Sequence, residues 1–204
     1  FFTIQTSDLT IKSRNLLRDL VSTSISNGLE LSLSNEINEI KEDNKEKILF
    51  GSKENIIAER VVICNGNSIS TFCDVKTKTS FAPIAVVTGL SDKSLSFVEL
   101  DYFTKNCINL LTKDSDIGLV GGISFNDKNK CDKYLDFVIN EHKKIDPNIE
   151  ELFRYNGIKT EITFNNQPRG YLYHIVESSS NVWAIVPGKF TLAFSLAPEF
   201  YRRI

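Results

Sequence analysis

The segment Val186–Ala193 (VPGKFTLA), near the end of the chain, combines residue types that can hold a ligand. Its apolar start is typical of a strand, Gly188 permits a tight turn, and the following residues can begin a helix. The first backbone N–H groups of a helix have no partner inside it and lie at the positive end of its dipole. Such a turn can bind an anion or a carbonyl oxygen. The alternative is an ordinary helix start hydrated by water, with Lys189 solvated.

Charged and aromatic side chains upstream of this segment are candidates for contact with a small ligand. Lys159 follows a glycine in a strand-like stretch, where its ammonium group could hold an anion. The alternative is a surface lysine that pairs with Glu161. Tyr155 and Tyr173 are weaker candidates, for which core packing is the alternative. Further candidates in the same stretch are Arg169, Tyr171 and His174.

The cysteines and histidines do not form a metal-ligand pattern. The four cysteines are widely spread, and the two histidines, His142 and His174, lie far apart in sequence. This spread predicts free thiols, a reducing and therefore cytoplasmic compartment, and no metal site. A nucleophilic Cys64 served by His174 is an alternative, but no nucleophile-elbow pattern surrounds Cys64, and an inert buried thiol is favoured.

Composition limits the class of protein. The 204 residues carry a net charge of -2, with 41% hydrophobic and 25% charged residues, which is typical of a globular protein. The near-neutral balance gives no reason to expect a nucleic-acid partner, and the apolar runs are too short for a membrane span. The sequence contains no methionine, even at position 1. It is therefore expected to be a piece of a longer chain or a processed product.

The first third of the sequence predicts a helix followed by a small meander. Ser7 and Asp8 can cap the helix, and the Asn-Gly pair at 27–28 can end it. Strict alternation over residues 29–33 predicts a strand with one buried face. Residues 37–50 continue in short strand-like pieces around a polar turn.

The run Arg60–Cys64 is continuous and β-branched, as in a strand covered on both faces. It leads into the glycine-containing turn at residues 65–68. A buried strand that ends in such a turn predicts an α/β sheet whose carboxyl end opens onto a ligand crevice.

The rest of the sequence predicts an antiparallel block, a helix and a closing strand–helix turn. The predicted strands are residues 82–88, 95–103, 117–124, 158–164, 171–176 and 182–186, with a hairpin tip at 114–116. The predicted helical segments are residues 131–144, 149–153 and 190–203. The predicted fold class is therefore α/β in the broad sense, a mixed α+β fold in which an antiparallel sheet is inserted into a layered domain.

Three sequence blocks carry a resemblance to a known family. The blocks are Ala58–Gly66, Gly157–Lys159, and Asn181–Ala193 with Ala197, Tyr201 and Arg202 after it. In this order and spacing they resemble the FAD-dependent oxidoreductases of the D-amino-acid oxidase (DAO) superfamily, over nearly all of the chain. The resemblance implies that residues 1–76 and 166–204 belong to an FAD-binding domain and that residues 77–165 form a substrate-binding domain.

The resemblance also implies roles for individual residues. The isoalloxazine of FAD would be held by Gly188, Lys189, Phe190, Thr191 and Leu192. The nucleotide part would be approached by Asn65 and Gly66, with Ile37 near adenine. The implied substrate contacts are Lys159, Tyr173 and Tyr155.

The implied function is an enzyme, as part of a longer chain, that oxidises an amine or amino-acid-like small molecule by hydride transfer to flavin. The substrate is expected to be anionic. No catalytic side chain is named, because an amine that arrives neutral needs no side-chain base.

The sequence departs from the family pattern in two respects, and these leave an alternative function open. The family's G-x-G-x-x-G unit is missing, so the resemblance implies that the chain is the portion downstream of it. Ala184 stands where glycine is common, and Lys159 where arginine is common. The alternative is a non-catalytic fragment or relative that binds a ligand or a partner.

Overall fold

The computed structural model describes residues 4–5, 10–43, 45–91, 94–101, 103–114, 116–162, 173–189 and 192–204. The chain divides into two compact units. The first unit comprises residues 1–31 and 81–157, and the second comprises residues 32–80 and 158–204. The α-helices are α1 (Ser13–Ser26), α2 (Cys131–Ile145) and α3 (Ala193–Tyr201). The strands are β1 (Ile37–Asp43), β2 (Glu46–Gly51), β3 (Ile56–Ala58), β4 (Val61–Ile63), β5 (Thr77–Thr88), β6 (Phe97–Asp101), β7 (Asn106–Thr112), β8 (Gly118–Gly122), β9 (Glu150–Ile162), β10 (His174–Ser179) and β11 (Val182–Val186).

The first unit is built around helix α2, which packs on strands of the five-stranded sheet β6-β7-β8-β5-β9. Leu135 and Val138 are almost fully buried, and they face a core to which β5 contributes Ala85 and Val87. The apolar residues of α2 recur at helical spacing, so one stripe of the helix is buried. The predicted helix over residues 131–144 is confirmed, within one residue of its observed end.

The N-terminal helix is present, but the strand predicted after it is absent. The proposed caps Ser7 and Asp8 lie outside the described residues. The predicted strand over residues 29–33 is wrong, since Leu29, Leu31 and Leu33 lie in irregular structure and are 45%, 52% and 68% exposed. Alternating apolar and polar residues form a strand only where they can pair with a neighbouring strand and bury one face against a core. This segment pairs with no described strand.

The second unit contains two three-stranded sheets. One is the antiparallel meander β1-β2-β3, which confirms the prediction over residues 37–50. The other has the order β10-β11-β4, in which β11 and β4 are parallel. Expected burial of β4 on both faces is wrong within this chain: Val61 and Ile63 are buried, but Val62 is 41% exposed. Side chains alternate between the two faces of a strand, so Val62 projects from the face opposite Val61 and Ile63, and that face of β4 is partly open.

Local patterns misassigned two segments of the first unit. Residues 149–153 were expected to be a helical turn but begin the long strand β9. Strand β7 was not predicted, although it pairs with both β6 and β8. Strand β11 matches its prediction, and α3 occupies the middle of its predicted range. The mixed α+β class is confirmed.

Candidate ligand-binding site

The parallel strands β4 and β11 bring two loops to one end of the second unit. Ala184 of β11 lies beside Ile63 of β4 in register. Because the strands are parallel, both carboxyl ends lie at the same edge of the sheet. In open α/β sheets this edge is where ligands bind. The loops that leave it are residues 65–67 and 187–189.

Each loop contains a glycine in the left-handed region of backbone conformation. Gly66 has φ +65° and Gly188 has φ +66°. A Cβ atom added at Gly66 would have no heavy atom within 4 Å, so this glycine faces open space. The Asn65 side chain donates a hydrogen bond to the Ser68 carbonyl at 3.1 Å, which stabilises the turn. The glycines therefore let the backbone turn tightly without filling the space beside it.

Helix α3 starts beside the second loop without a side-chain cap. Leu192 is the N-cap residue, and its backbone N–H donates to the Lys189 carbonyl at 3.1 Å. No described side chain accepts a hydrogen bond from the first turn as a cap. This arrangement leaves helix-start amides for another acceptor. The predicted contact residues Phe190 and Thr191 lie outside the described residues.

A cavity of about 500 Å³ lies at these loops, and all of its described lining residues belong to the second unit. This volume is within the range of small-molecule and cofactor sites. The charged residues in the described lining, Lys159 and Lys189, are both cations. The lining consists of Cys64, Gly66 and Asn67 after β4, residues 158–160 of β9, and residues 185–189, 193 and 196 at the end of the chain.

Lys159 both lines the cavity and forms an ion pair. Its Nζ atom donates to Glu161 Oε1 at 2.5 Å. The side chains are only 22% and 6% exposed, respectively, so the pair is largely withdrawn from water. The two interpretations of Lys159 in the sequence, ligand contact and pairing with Glu161, are therefore compatible. Glu161 itself is not part of the lining.

Cys64 lies in the lining at the carboxyl end of β4 and is solvent-exposed. Burial of the thiol by neighbouring protein raises its pKa, so the uncharged thiol predominates at neutral pH. This direction is opposite to that of an activated nucleophile. The expectation of a buried residue is wrong, because Cys64 as a whole is exposed.

The remaining predicted residues lie outside the described lining. Ile37 is half-buried at the start of β1, where it pairs with Gly51. Tyr173 packs against the small apolar cluster of Ile175, Ile185 and Leu196. Tyr155 belongs to the first unit, is 43% exposed and stacks on Phe153 with ring centroids 6.2 Å apart.

Sequence reasoning missed several members of the lining. Asn67, Thr160 and Pro187 each directly follow or precede a residue that was named. The available signal was therefore proximity in sequence to a named residue rather than the residue type. Glu161 was noted only as a partner for Lys159, although its position two residues along the same strand places both side chains on one face.

Among the described residues, no cluster of three or more His, Cys, Asp or Glu side chains could hold a metal ion. Within the same part of the chain, no helix combines the length and apolarity needed to cross a membrane.

Comparison of the sequence with models of known protein families gave no match, and comparison with curated proteins gave none. The fold, in contrast, matches solved structures. A variant of NikD, an unusual amino acid oxidase essential for nikkomycin biosynthesis, superposes with a TM-score of 0.72 at 10% identity, over 88% of this chain and 52% of that chain.

Two further solved structures have the same fold. Glycine oxidase from Geobacillus kaustophilus matches with a TM-score of 0.64 at 15% identity, over 85% of this chain and 48% of that chain. An FAD-dependent oxidoreductase from Pseudomonas aeruginosa matches with a TM-score of 0.61 at 14% identity, over 93% of this chain and 56% of that chain. The chain spans about half the length of each of these three structures.

Proposed function

We propose, from a fold shared with FAD-dependent oxidoreductases of the DAO superfamily, that this chain is part of an enzyme that oxidises an amine or amino-acid-like small molecule. The observation that carries the proposal is the cavity at the carboxyl ends of β4 and β11. Its loops and its helix start offer backbone amides and cations, which are groups of the kind that bind a flavin nucleotide.

The residues of the cavity fit one part of FAD. The uncapped start of α3 offers backbone N–H donors and a positive dipole end, which suit the carbonyl oxygens of a flavin ring. The open space beside Gly66 allows close approach of a flat or extended ligand to the backbone. Lys189 adds an ammonium donor. We therefore assign Gly66, Gly188, Lys189 and Leu192 to cofactor binding, together with Asn65, Ile37, Phe190 and Thr191 from the sequence.

When bound, FAD would accept a hydride from the carbon beside the substrate amine. The chain would bind and orient both molecules, and it would hold the ring carbonyls with amide donors. We propose Lys159, Tyr173 and Tyr155 as substrate contacts. No described residue is assigned as a general base. The four free cysteines favour a reducing compartment, and we propose the cytoplasm.

The proposal divides the chain by role. We assign residues 77–165, with the five-stranded sheet, to substrate binding, and residues 1–76 and 166–204 to flavin binding. This chain spans about half the length of the matched structures. The activity of the whole protein thus remains part of the proposal.

The test is a search for bound flavin in protein purified from the complete gene. We expect a yellow protein with a flavin absorbance band, whose chromophore, released by denaturation, is identified as FAD by chromatography. Bound FAD should also slow alkylation of Cys64 by iodoacetamide, measured by peptide mass spectrometry, while Cys107 of the first unit serves as an internal control.

Gly188→Val is the variant that tests the assigned loop. Valine is strained at φ +66°, so the loop must change its conformation and the bound flavin should weaken or be lost. Far-UV circular dichroism should remain unchanged. A colourless protein that takes up no added FAD would overturn the proposal and favour a non-catalytic ligand-binding or partner-binding role.

A further inference from the structure

Lys159 and Glu161 form a charged pair of which one member faces the cavity of the second unit. They are two residues apart on β9, so their side chains project from the same face of the strand. Lys159 reaches the cavity, whereas Glu161 lies behind it and is only 6% exposed. Lys159 Nζ donates a direct charge-assisted hydrogen bond to Glu161 Oε1.

This pairing changes what Lys159 can offer to a ligand. An ammonium group has three N–H donors, and the bond to Glu161 uses one of them. A carboxylate at hydrogen-bond distance, in a site withdrawn from water, opposes the electrostatic potential that the ammonium would project into the cavity. The remaining donors keep their capacity for hydrogen bonds, but the attraction for a distant anion is weakened.

We infer that Glu161 is a positioning residue that sets the specificity of this cavity: it holds Lys159 in the wall and neutralises it, so that Lys159 donates to an uncharged oxygen acceptor. A carbonyl, amide or hydroxyl oxygen of the ligand would fill this role. The inference rests on the proposed function only in taking this cavity as the ligand site. The anionic contact expected from the sequence stays a prediction, and one experiment distinguishes the two.

Cys64 provides a reporter inside the same cavity. It lines the cavity together with Lys159, and the residue is exposed. Iodoacetate and iodoacetamide alkylate a thiol by the same displacement and have nearly the same size, but only iodoacetate is an anion. The ratio of their rate constants at Cys64 therefore measures the local potential, and any change in the thiol pKa affects both reagents and cancels.

The experiment compares this ratio in the full chain, in Glu161→Gln and in the double variant Lys159→Gln/Glu161→Gln, by peptide mass spectrometry. Glu161→Gln leaves Lys159 unneutralised, so we expect the ratio of iodoacetate to iodoacetamide rates to rise about threefold or more. The double variant removes both charges and should keep the ratio of the natural chain. Glu59→Gln, the same chemical change at an exposed position outside the lining, should have no effect.

Two results overturn the inference: an unchanged ratio in Glu161→Gln, or a marked fall in the double variant, which would mean that Lys159 projects its charge into the cavity. If Glu161→Gln does not fold, the comparison of the double variant with the natural chain still decides. None of these measurements uses FAD, so failure of the flavin test and failure of this one are separate outcomes.

Discussion

Both units contain helices and glycines, but these contribute to packing in the first unit and leave open space in the second. In the first unit, α2 buries a complete apolar stripe against the sheet, and Gly122 lies where β8 meets the backbone of β7. In the second unit, α3 buries only Leu196 among its described residues, and Gly66 faces open space. The first arrangement maximises packing, whereas the second leaves volume and backbone donors for a ligand.

The cavities of the two units differ in a corresponding way, in both volume and lining. The first unit has a cavity of about 280 Å³, lined mainly by apolar side chains such as Phe97 and Leu110 beside the buried His142. The cavity of the second unit is larger, at about 500 Å³, and is lined by glycine-containing loops and two lysines. Backbone amide donors and lysine ammonium groups are concentrated at the cavity of the second unit. The second unit is therefore the better candidate for ligand binding.

The largest predicted effect is that of Gly122→Ala in the first unit. An added Cβ would overlap the Cys107 carbonyl and the Tyr134 hydroxyl. That hydroxyl donates to the Cys107 carbonyl and accepts from the Ile123 N–H, so the clash also breaks a buried hydrogen-bonded contact. We expect a loss of about 3 kcal/mol in the free energy of unfolding, measured by urea denaturation.

Two alanine variants complete this comparison. At Gly157 a Cβ would make only ordinary contacts, at 3.6 Å from the Ala82 carbonyl, so Gly157→Ala should change stability by less than about 1 kcal/mol. Gly66→Ala meets open space and should cost about 1 kcal/mol, from its φ of +65° alone. Equal losses at Gly122 and Gly66 would contradict the distinction between packing glycines and loop glycines.

Sequence patterns predicted the elements whose burial is determined locally. The stripe of α2 and the apolar run of β11 are visible because one helix face or one short strand carries the signal. The start of β9 was missed because its neighbour in the sheet, β5, is distant in sequence. Strand β7 was missed although its partners, β6 and β8, directly precede and follow it in the chain. The alternation of residues 29–33 was misleading, since no strand in the described chain pairs with it.

The candidate site was predictable to the level of its loops. Glycine after an apolar run predicted both turns, and the positive φ angles of Gly66 and Gly188 agree with that chemistry. The convergence of these turns depends on the parallel pairing of β4 with β11, which joins segments more than 100 residues apart. No local pattern encodes that pairing. The burial of Glu161 behind Lys159 likewise follows only from the three-dimensional structure.

A smaller effect on the free energy of unfolding is expected at acid pH, through a buried histidine of the first unit. His142 is 1% exposed, and its Nε2 atom lies 3.1 Å from the Asn109 carbonyl, to which it donates. Burial lowers the pKa of His142 and outweighs the opposite effects of this hydrogen bond and of Glu99 and Glu141. The unfolded chain therefore binds a proton at higher pH than the folded chain does, and stability falls as the pH decreases through the ordinary histidine range.

The measurement is the free energy of unfolding at pH 7.5 and pH 5.5. His142→Gln should reduce the difference between these two values, even though it lowers stability at both. His174→Gln is the matched control in the second unit, where burial also lowers the histidine pKa but the side chain is only partly buried. An unchanged difference in His142→Gln would show that this ring is already protonated in the folded state.

The smallest predicted effect concerns the exposed ion pair of Lys12 and Asp114. It contrasts with the largely buried pair of Lys159 and Glu161 at the cavity. Lys12 Nζ lies 2.6 Å from Asp114 Oδ1, but the side chains are 61% and 63% exposed, so water and salt screen the attraction. Lys12→Met should therefore change the free energy of unfolding by less than about 0.5 kcal/mol. This pair holds the residue before α1, a helix that buries none of its described residues. Loss of this ion pair should thus appear locally, as faster amide hydrogen exchange in α1. A global destabilisation would show that exposure does not govern the strength of the charged pairs in this chain.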